Sequence, residues 1–447
     1  MSSRFWSRGF PAVLALAAVT RIALIAVTPH IALFGDPADY QRWGASLATG
    51  HGFPMTEIAS PGTPSAFRPP AYPLALAGLY AVVGVHVLAG RALGAILGVA
   101  TAGLLAVLGR ALWGPRVGLI AGGICAVYPP LVALSGTLVS EALFIPLELG
   151  LALALVKVAR RPGHAGWAAV AGLLCAATVL TRAVAEVWVF VAVGVALFAG
   201  AGSVPLRTRA VAATAALAAI VIGLAPWTAR NLETFHTLVP ITTDGGFVLA
   251  GQYNSTVAAS GPLQSVWQIP LIIPDVAARV RPLYERPGGV NEAQLDAALR
   301  SIALHYVAAH PAYLPTAVAN DTLRLLDLGP GHTLQTAIVN RQLAIPPALR
   351  LPDSLSAQIL AALALLGLII AVTKRPLGAP WLWILPATAW LVTVPALGTP
   401  LKRAPMDPFL ILLAALAIDT AVNFRRAAST ERAPAAKVPE PAQTAYP

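Results

Sequence analysis

Two short stretches of this 447-residue chain carry side chains suited to chemistry. In Gly35-Asp36-Pro37-Ala38-Asp39-Tyr40, two carboxylates stand three residues apart, which puts them on one face if 36–48 is helical. A carboxylate there can take a proton from an attacking hydroxyl. The same pair also suits a solvated helix start, because Asp favours the first turn. In Phe67-Arg68-Pro69-Pro70-Ala71-Tyr72-Pro73, the Arg68 guanidinium offers a fork of donors that matches phosphate oxygens, and the prolines fix the backbone after it. The plainer alternative is an interfacial arginine that meets ordinary lipid headgroups.

Further charges lie close to apolar runs. Glu141 follows Ser135-Gly136-Thr137-Leu138-Val139-Ser140 at a helix start, where a carboxylate near hydrocarbon is costly unless it is paired or functional. Arg182 and Glu186, four apart at a tight turn, are expected to satisfy one another. Arg230, in Pro226-Trp227-Thr228-Ala229-Arg230-Asn231, and Arg403, in Leu401-Lys402-Arg403-Ala404-Pro405, stand at helix ends as substrate contacts or simple anchors. Arg21, inside the first apolar run, needs a partner, and a structural role is expected of it. His305, His310 and His332 have no metal-ligand spacing, so no metal site and no cofactor are expected. Cys125 and Cys175 fall inside apolar runs and read as small buried hydrophobes.

The elements that hold these residues follow from composition. Hydrophobic residues make up 57% of the chain and charged ones 11%, well under the roughly 25% charged of a soluble domain. In lipid every backbone polar group must be satisfied internally, so the long apolar runs must be helices. The expected class is an all-α integral membrane protein with about ten transmembrane helices, juxtamembrane helices and a large extracytoplasmic loop. The spans read as 10–29, 90–109, 117–135, 141–159, 166–181, 184–200, 210–228, 356–373, 379–398 and 408–423. The net charge of +11 comes largely from Lys and Arg flanking these runs, so nucleic-acid binding is excluded from the reading.

The apolar stretch 71–85 opens after Pro69-Pro70 and is about three quarters of a normal span. If it crossed the bilayer, Arg110/Arg116, Lys157/Arg160/Arg161 and Arg207/Arg209 would lie opposite Arg4/Arg8, against the positive-inside tendency. Left out, all of these fall on one side, together with Lys374/Arg375 and Arg425/Arg426. The stretch is therefore expected to be a juxtamembrane or half-inserted helix.

This topology divides the chain into an N-terminal transmembrane module 1–228 with a first outer loop 30–89, an extracytoplasmic loop domain 229–355, C-terminal transmembrane helices 356–426 and a disordered cytoplasmic tail 427–447. In the loop domain, Asn291-Glu292-Ala293-Gln294 resembles a capping box that opens a helix with Leu295, Leu299, Ile302 and Tyr306 on one face. That helix is expected to pack on the membrane body. Gly90, Gly94 and Gly98 repeat every four residues and allow close approach of another segment.

Taken in order, several motifs resemble the glycosyltransferase-C superfamily, in particular bacterial members similar to aminoarabinose-lipid A transferase and protein O-mannosyltransferases. They are Asp36 with Tyr40 and then Ala48-Thr49-Gly50-His51-Gly52-Phe53; Arg68-Pro69-Pro70; Ser140-Glu141; Pro226-Trp227 with Arg230-Asn231; and Arg403-Ala404-Pro405 with Pro408-Phe409. The resemblance covers roughly 10–425. It implies an integral-membrane glycosyltransferase that moves a sugar from a polyprenyl-phosphate donor to a hydroxyl-bearing lipid, glycan or protein acceptor. The site would face the extracytoplasmic side of the cell inner (plasma) membrane. It further implies Asp36 as catalytic carboxylate with Asp39 and Glu141 as the other acids, and Arg68 on the donor phosphate. Tyr40, Tyr72, Arg230 and Arg403 complete the expected substrate contacts. Two departures stand out: Pro37 follows Asp36 where relatives frequently carry Asp-Glu, and Leu401-Lys402-Arg403 replaces an Arg-Tyr-Arg pattern. The rival classes are a transporter or lipid flippase, which should show related halves with interrupted helices, and a non-catalytic envelope assembly factor.

Overall fold

Because its apolar runs can satisfy their backbone only within each segment, the chain folds as helices packed on helices, and the computed structural model contains a single isolated bridge, Met55 with Pro64, among the described residues. Residues 2–373 and 379–431 are described. Six helices among them are long and apolar enough to cross a bilayer: Arg4–Val27, Val87–Trp113, Glu141–Arg160, Leu206–Phe235, Pro347–Thr373 and Asp407–Phe424. This is a multi-pass membrane protein.

The other expected spans are shorter or broken. The run 166–181 is the helix Ala165–Val179, 184–200 is Ala183–Phe198, and 379–398 resolves into a short 3-10 turn Pro380–Trp383 followed by Ile384–Thr393. The run 117–135 is two helices, Pro115–Val127 and Pro129–Ser135, bent by 61°. The stretch 71–85 is a helix of 13 residues, Ala71–Val83, which is too short to span alone. Domain boundaries shift with the helices, since Leu206–Phe235 runs past 228 and Pro347–Thr373 begins before 356. The last helix continues to Glu431, so 427–431 is not part of a tail, and residues 432–447 and Lys374/Arg375 lie outside the described residues.

The bend at 128 explains Arg21. Pro129 and Pro130 have no N–H, so the carbonyls of Cys125 and Ala126 lose the donors that a continuous helix would supply four residues on. Arg21, fully buried, supplies them instead: Nη1 donates to Ala126 O at 3.1 Å and Nη2 to Cys125 O at 3.3 Å, while Nε reaches Ser135 Oγ at 3.2 Å. Its partners are neutral. The expected structural role is thus met by a helix break and not by a counter-ion.

The glycine repeat serves the same junction. A Cβ on Gly94 would stand 2.6 Å from the Ser135 carbonyl oxygen, and one on Gly98 would stand 2.3 Å from both Arg21 Nε and Ser135 Oγ. Only glycine lets the bent segment come this close. Cys125 and Cys175 are buried and free.

Between the helices Leu206–Phe235 and Pro347–Thr373 lies a helical domain with its own core, built from Phe247, Tyr253, Val276, Val280, Leu295 and Leu299 among others. The capping box forms as the sequence suggested: Asn291 accepts from Gln294 N at 2.9 Å, and Gln294 accepts from Asn291 N at 3.1 Å. The helix it opens, Glu292–Ala309, buries Leu295 and Leu299 against neighbouring loop helices and meets the membrane body only at its start, where Ala293 packs with Trp227 and Phe235. The loop domain has enough apolar side chains to make a core for itself, so the amphipathic face closes within it.

Candidate functional site

Helix Asp36–Ala48 begins immediately after Gly35, whose positive φ of 64° turns the chain into it. Pro37 in the first turn fits a position that needs no N–H donor, and Asp36 and Asp39 there suit the positive end of the helix dipole. The helix buries Pro37, Tyr40, Trp43 and Gly44, a face of helical spacing, against helix Ala71–Val83. Gly44 is required by that contact, because a Cβ there would lie 2.8 Å from the Leu76 side chain. Asp36 and Asp39 point away from this seam and remain partly open.

Arg68 reaches them from the following loop. Its Nη2 lies 2.6 Å from Asp36 Oδ1 and 2.7 Å from Asp39 Oδ2, while Nε is buried without a partner. The guanidinium sits over the rings of Tyr40, 5.6 Å to the centroid, and Phe67, 5.2 Å. Tyr40 in turn meets Tyr72 edge-on at 5.0 Å, and the Tyr72 hydroxyl is buried and unpartnered. Burial raises the Asp36 carboxyl, but Arg68, Lys402 and Arg182 outweigh it and hold the group below its ordinary value, so it is ionised at neutral pH. Burial lowers the Arg68 guanidinium, yet Asp36, Tyr40 and Asp39 more than reverse this. The Tyr40 phenol is pushed up to about 12 by burial, against the pull of Arg68.

The loop bearing Arg68 is pinned by a residue that the sequence had shown only as part of a cap. Glu292, fully buried, accepts from Ser65 Oγ at 2.7 Å, Ala66 N at 2.8 Å and Thr243 Oγ1 at 2.8 Å. Such charge-assisted bonds are the strong class. At its far end the loop is tied by Ala71 N to Leu180 O at 2.9 Å.

Glu141 is paired with Arg182, and Arg182 Nη1 also donates to Ser140 Oγ at 3.3 Å. The expected pairing of Arg182 with Glu186 does not form: Glu141 is buried and would otherwise be an uncompensated charge, whereas Glu186 is solvent-facing. Arg182 Nε is a second buried donor without a partner. Both Arg182 and Lys402 act electrostatically on Asp36. Burial and the neighbouring Arg182 hold the Lys402 ammonium below its ordinary value, with Glu141 and Asp36 pulling the other way. Asp244, raised by burial and accepting from Thr242 Oγ1 at 2.6 Å, feels Arg68 and Lys402.

In the turn 400–403, Arg403, expected as a substrate contact, has its donors taken up within the fold. Arg403, 3% exposed, is consumed by the fold: Nε bonds Asp407 at 2.8 Å, Nη2 the Tyr128 hydroxyl at 3.2 Å and Nη1 the Leu325 carbonyl. Successive residues of a 3-10 turn point in different directions, so Lys402 faces the Asp36 cluster while Arg403 faces the core. Arg230 stacks on Trp227 at 4.9 Å and Phe53 at 5.5 Å and donates to Asn231 Oδ1 at 3.0 Å, contacts that suit an anchor. Lys402, Arg182, Asp244 and Glu292 join this candidate site from distant parts of the chain, which is why sequence reading did not place them there. The signal available was small: Lys402 in the departing motif, and Arg182 as a charge between apolar runs.

Residues 67–228 match the family model described as dolichyl-phosphate-mannose-protein mannosyltransferase. No curated protein matches the chain in sequence. Among solved structures, the chain is similar to the oligosaccharyltransferase AglB from Archaeoglobus fulgidus in complex with an inhibitory peptide and a dolichol-phosphate, with a TM-score of 0.53 and 14% identity over 96% of this chain and 52% of that one. The likeness is one of fold. The apo form of the same archaeal protein gives a TM-score of 0.52 at 14% identity, over 94% of this chain and 52% of that one. The chain spans about half the length of this oligosaccharyltransferase. ArnT from Cupriavidus metallidurans bound to undecaprenyl phosphate gives a TM-score of 0.41 at 14% identity, over 96% of this chain and 80% of that one.

Proposed function

We propose that the protein is an integral-membrane glycosyltransferase that moves one sugar from a polyprenyl-phosphate donor to a hydroxyl-bearing lipid, glycan or protein acceptor on the extracytoplasmic face of the inner membrane. The observation that carries this reading is the contact of two carboxylates, Asp36 and Asp39, with a single Arg68 nitrogen, while Arg68 Nε and Arg182 Nε stay buried and unpartnered. Buried donors of this kind call for an anionic acceptor, and a phosphate has the oxygens to take them.

The residues divide the work as follows. Asp36, ionised and partly open, orients the acceptor hydroxyl and takes its proton as the acceptor oxygen attacks the anomeric carbon. The bond from that carbon to the phosphate oxygen breaks, and the phosphate leaves with the electron pair, so the sugar is inverted. Arg68, with Arg182 and Lys402 beside it, stabilises the charge gathering on the departing phosphate. A phosphate is a good leaving group, and no general acid is needed. Tyr40 lies beneath the guanidinium with Tyr72 edge-on against it, and Glu141 holds Arg182 in position.

The test is to incubate purified protein with a panel of radiolabelled polyprenyl-phosphate sugars and membrane extract. Consumption of one donor with label appearing in an acceptor supports the reading, and no turnover with any donor shifts the weight to a transporter or an assembly factor.

A further inference from the structure

Away from Asp36 and Arg68, two cavities join along the first helix. One, of about 320 Å³, is mostly apolar and runs between Ser2–Val27, Pro129–Ser135 and the start of Pro347–Thr373, with Leu24, Val132 and Leu349 on its walls and Arg91 tied to Thr28 at its side. The other, of about 760 Å³, lies past the end of the first helix and is lined by His30, Arg341 and Arg350, with no Asp or Glu on its walls. Both share Val27, Thr28, Ile31, Ala344, Ile345 and Pro346, so they form one continuous groove. Its lower half is flanked by two helices long and apolar enough to span a bilayer, and its upper half is cationic.

The cations have no counter-charge. Arg341 stacks on Phe34 at 4.0 Å and Arg350 Nε donates weakly to Ile345 O at 3.4 Å, and neither makes an ion pair among the described residues. The start of helix Pro347–Thr373 adds its positive dipole end to the same wall. Asp353, the one acid on the apolar half, is buried, and the guanidinium of Arg403 acts on it.

We infer that this groove binds an anionic phospholipid, with one acyl chain along the apolar half and the phosphate against Arg341, Arg350 and His30. The choice of occupant follows from the two halves: an apolar slot flanked by two helices able to span a bilayer takes a lipid tail, and a cationic rim with no acid on its walls takes a phosphate. The site borders the catalytic helix. The rim segment Ala32–Phe34 runs directly into Gly35 and Asp36, and a Cβ on Gly35 would stand 3.8 Å from the Gln342 side chain. A bound headgroup therefore steadies the strap that sets where Asp36 begins. The inference stands apart from the sugar-transfer reading, because it concerns lipid binding and not turnover.

The test uses the full chain in phosphatidylcholine nanodiscs doped with phosphatidylglycerol, and native mass spectrometry of the released protein. One retained phosphatidylglycerol per chain, with phosphatidylcholine in excess, is the expected result. Retention should fall by about tenfold or more in the double variant Arg341→Gln/Arg350→Gln, as two near-surface cations are lost. It should fall likewise in Ala23→Trp, which fills the apolar half from its exposed wall. Arg281→Gln, which removes an exposed cation elsewhere, should change nothing. Equal retention of phosphatidylcholine by the wild type, or retention unchanged in both groove variants, overturns the inference. So does displacement of the phosphatidylglycerol by stoichiometric undecaprenyl phosphate, which would assign the groove to the donor. The wild-type selectivity decides the matter even where a variant folds poorly.

Discussion

Arg68 Nη2 stands 2.6 Å from Asp36 Oδ1 and shares the same hydrogen-bonding nitrogen with Asp39 at 2.7 Å. A guanidinium spent at one corner on two carboxylates leaves its Nε without a protein partner, and it helps hold the Asp36 carboxyl below its ordinary value. For the proposed transfer, which needs an anion and a hydroxyl in one site, that division of donors is the central feature.

Asp36→Asn keeps the shape and removes the proton acceptor. Sugar transfer in the radiolabelled-donor assay should drop by about 10²–10⁴-fold, the usual contribution of a general base. The protein should still reach the membrane at wild-type levels on immunoblot, and full retained activity would reject Asp36 as the base.

Arg68→Gln should move the acid limb of the pH–activity profile upward. The wild-type carboxylate, held below its ordinary 3.8, stays ionised as pH falls until that lowered value is reached. Without Arg68, only Lys402 and Arg182 oppose the effect of burial, and Asp36 protonates at higher pH. A profile measured from pH 4 to 8 on both proteins shows the shift; Arg68→Lys should restore the limb but not the donor KM, since an ammonium lacks the fork.

Lys402 supplies the alkaline limb. Its ammonium is held below the ordinary 10.5 by burial and Arg182, so its charge is lost at a lower pH than that of an ordinary lysine as pH rises. Activity that depends on this cation falls on the alkaline side, and Lys402→Arg should flatten that fall while Lys402→Met lowers kcat across the whole range. An unchanged profile in Lys402→Met would remove it from the site.

Glu292→Gln tests positioning. The carboxylate holds Ser65, Ala66 and Thr243 with three hydrogen bonds, and bonds to a charged group contribute about 1.5–3 kcal/mol each. The variant should show a lowered Tm and a raised donor KM with the pH limbs unmoved, because the residue fixes the Arg68 loop without touching the reacting atoms. A shifted pH limb would mean that Glu292 takes part in the chemistry.

Gly94→Val tests the packing of the bent helix. With a Cβ 2.6 Å from the Ser135 carbonyl, the two segments must part, an overpacking cost of about 1–3 kcal/mol. The expected outcome is a lowered Tm in detergent, read by fluorescence-detected size exclusion, and Gly94→Ala should fall between the two.

Much of this protein was legible in its sequence because the bilayer allows so few solutions. Apolar runs had to be helices, and the three-residue spacing of Asp36 and Asp39 put both acids in one first turn. The short stretch after Pro69-Pro70 is a helix too short to cross alone. The capping box at Asn291 was readable because it is a contact between neighbours in the chain.

What the tertiary structure alone decided are the pairings between residues far apart. Arg182 meets Glu141 across 41 positions instead of Glu186 four away, because burying an unpaired Glu141 costs more than leaving Glu186 to solvent. Glu292 holds Ala66 across 226 positions. Lys402 and not Arg403 joins the Asp36 cluster, since adjacent residues of one turn point in different directions and only the packing around them selects which faces the site. Local spacing encodes helices and caps; charge partnership depends on distances that form only once the helices have packed.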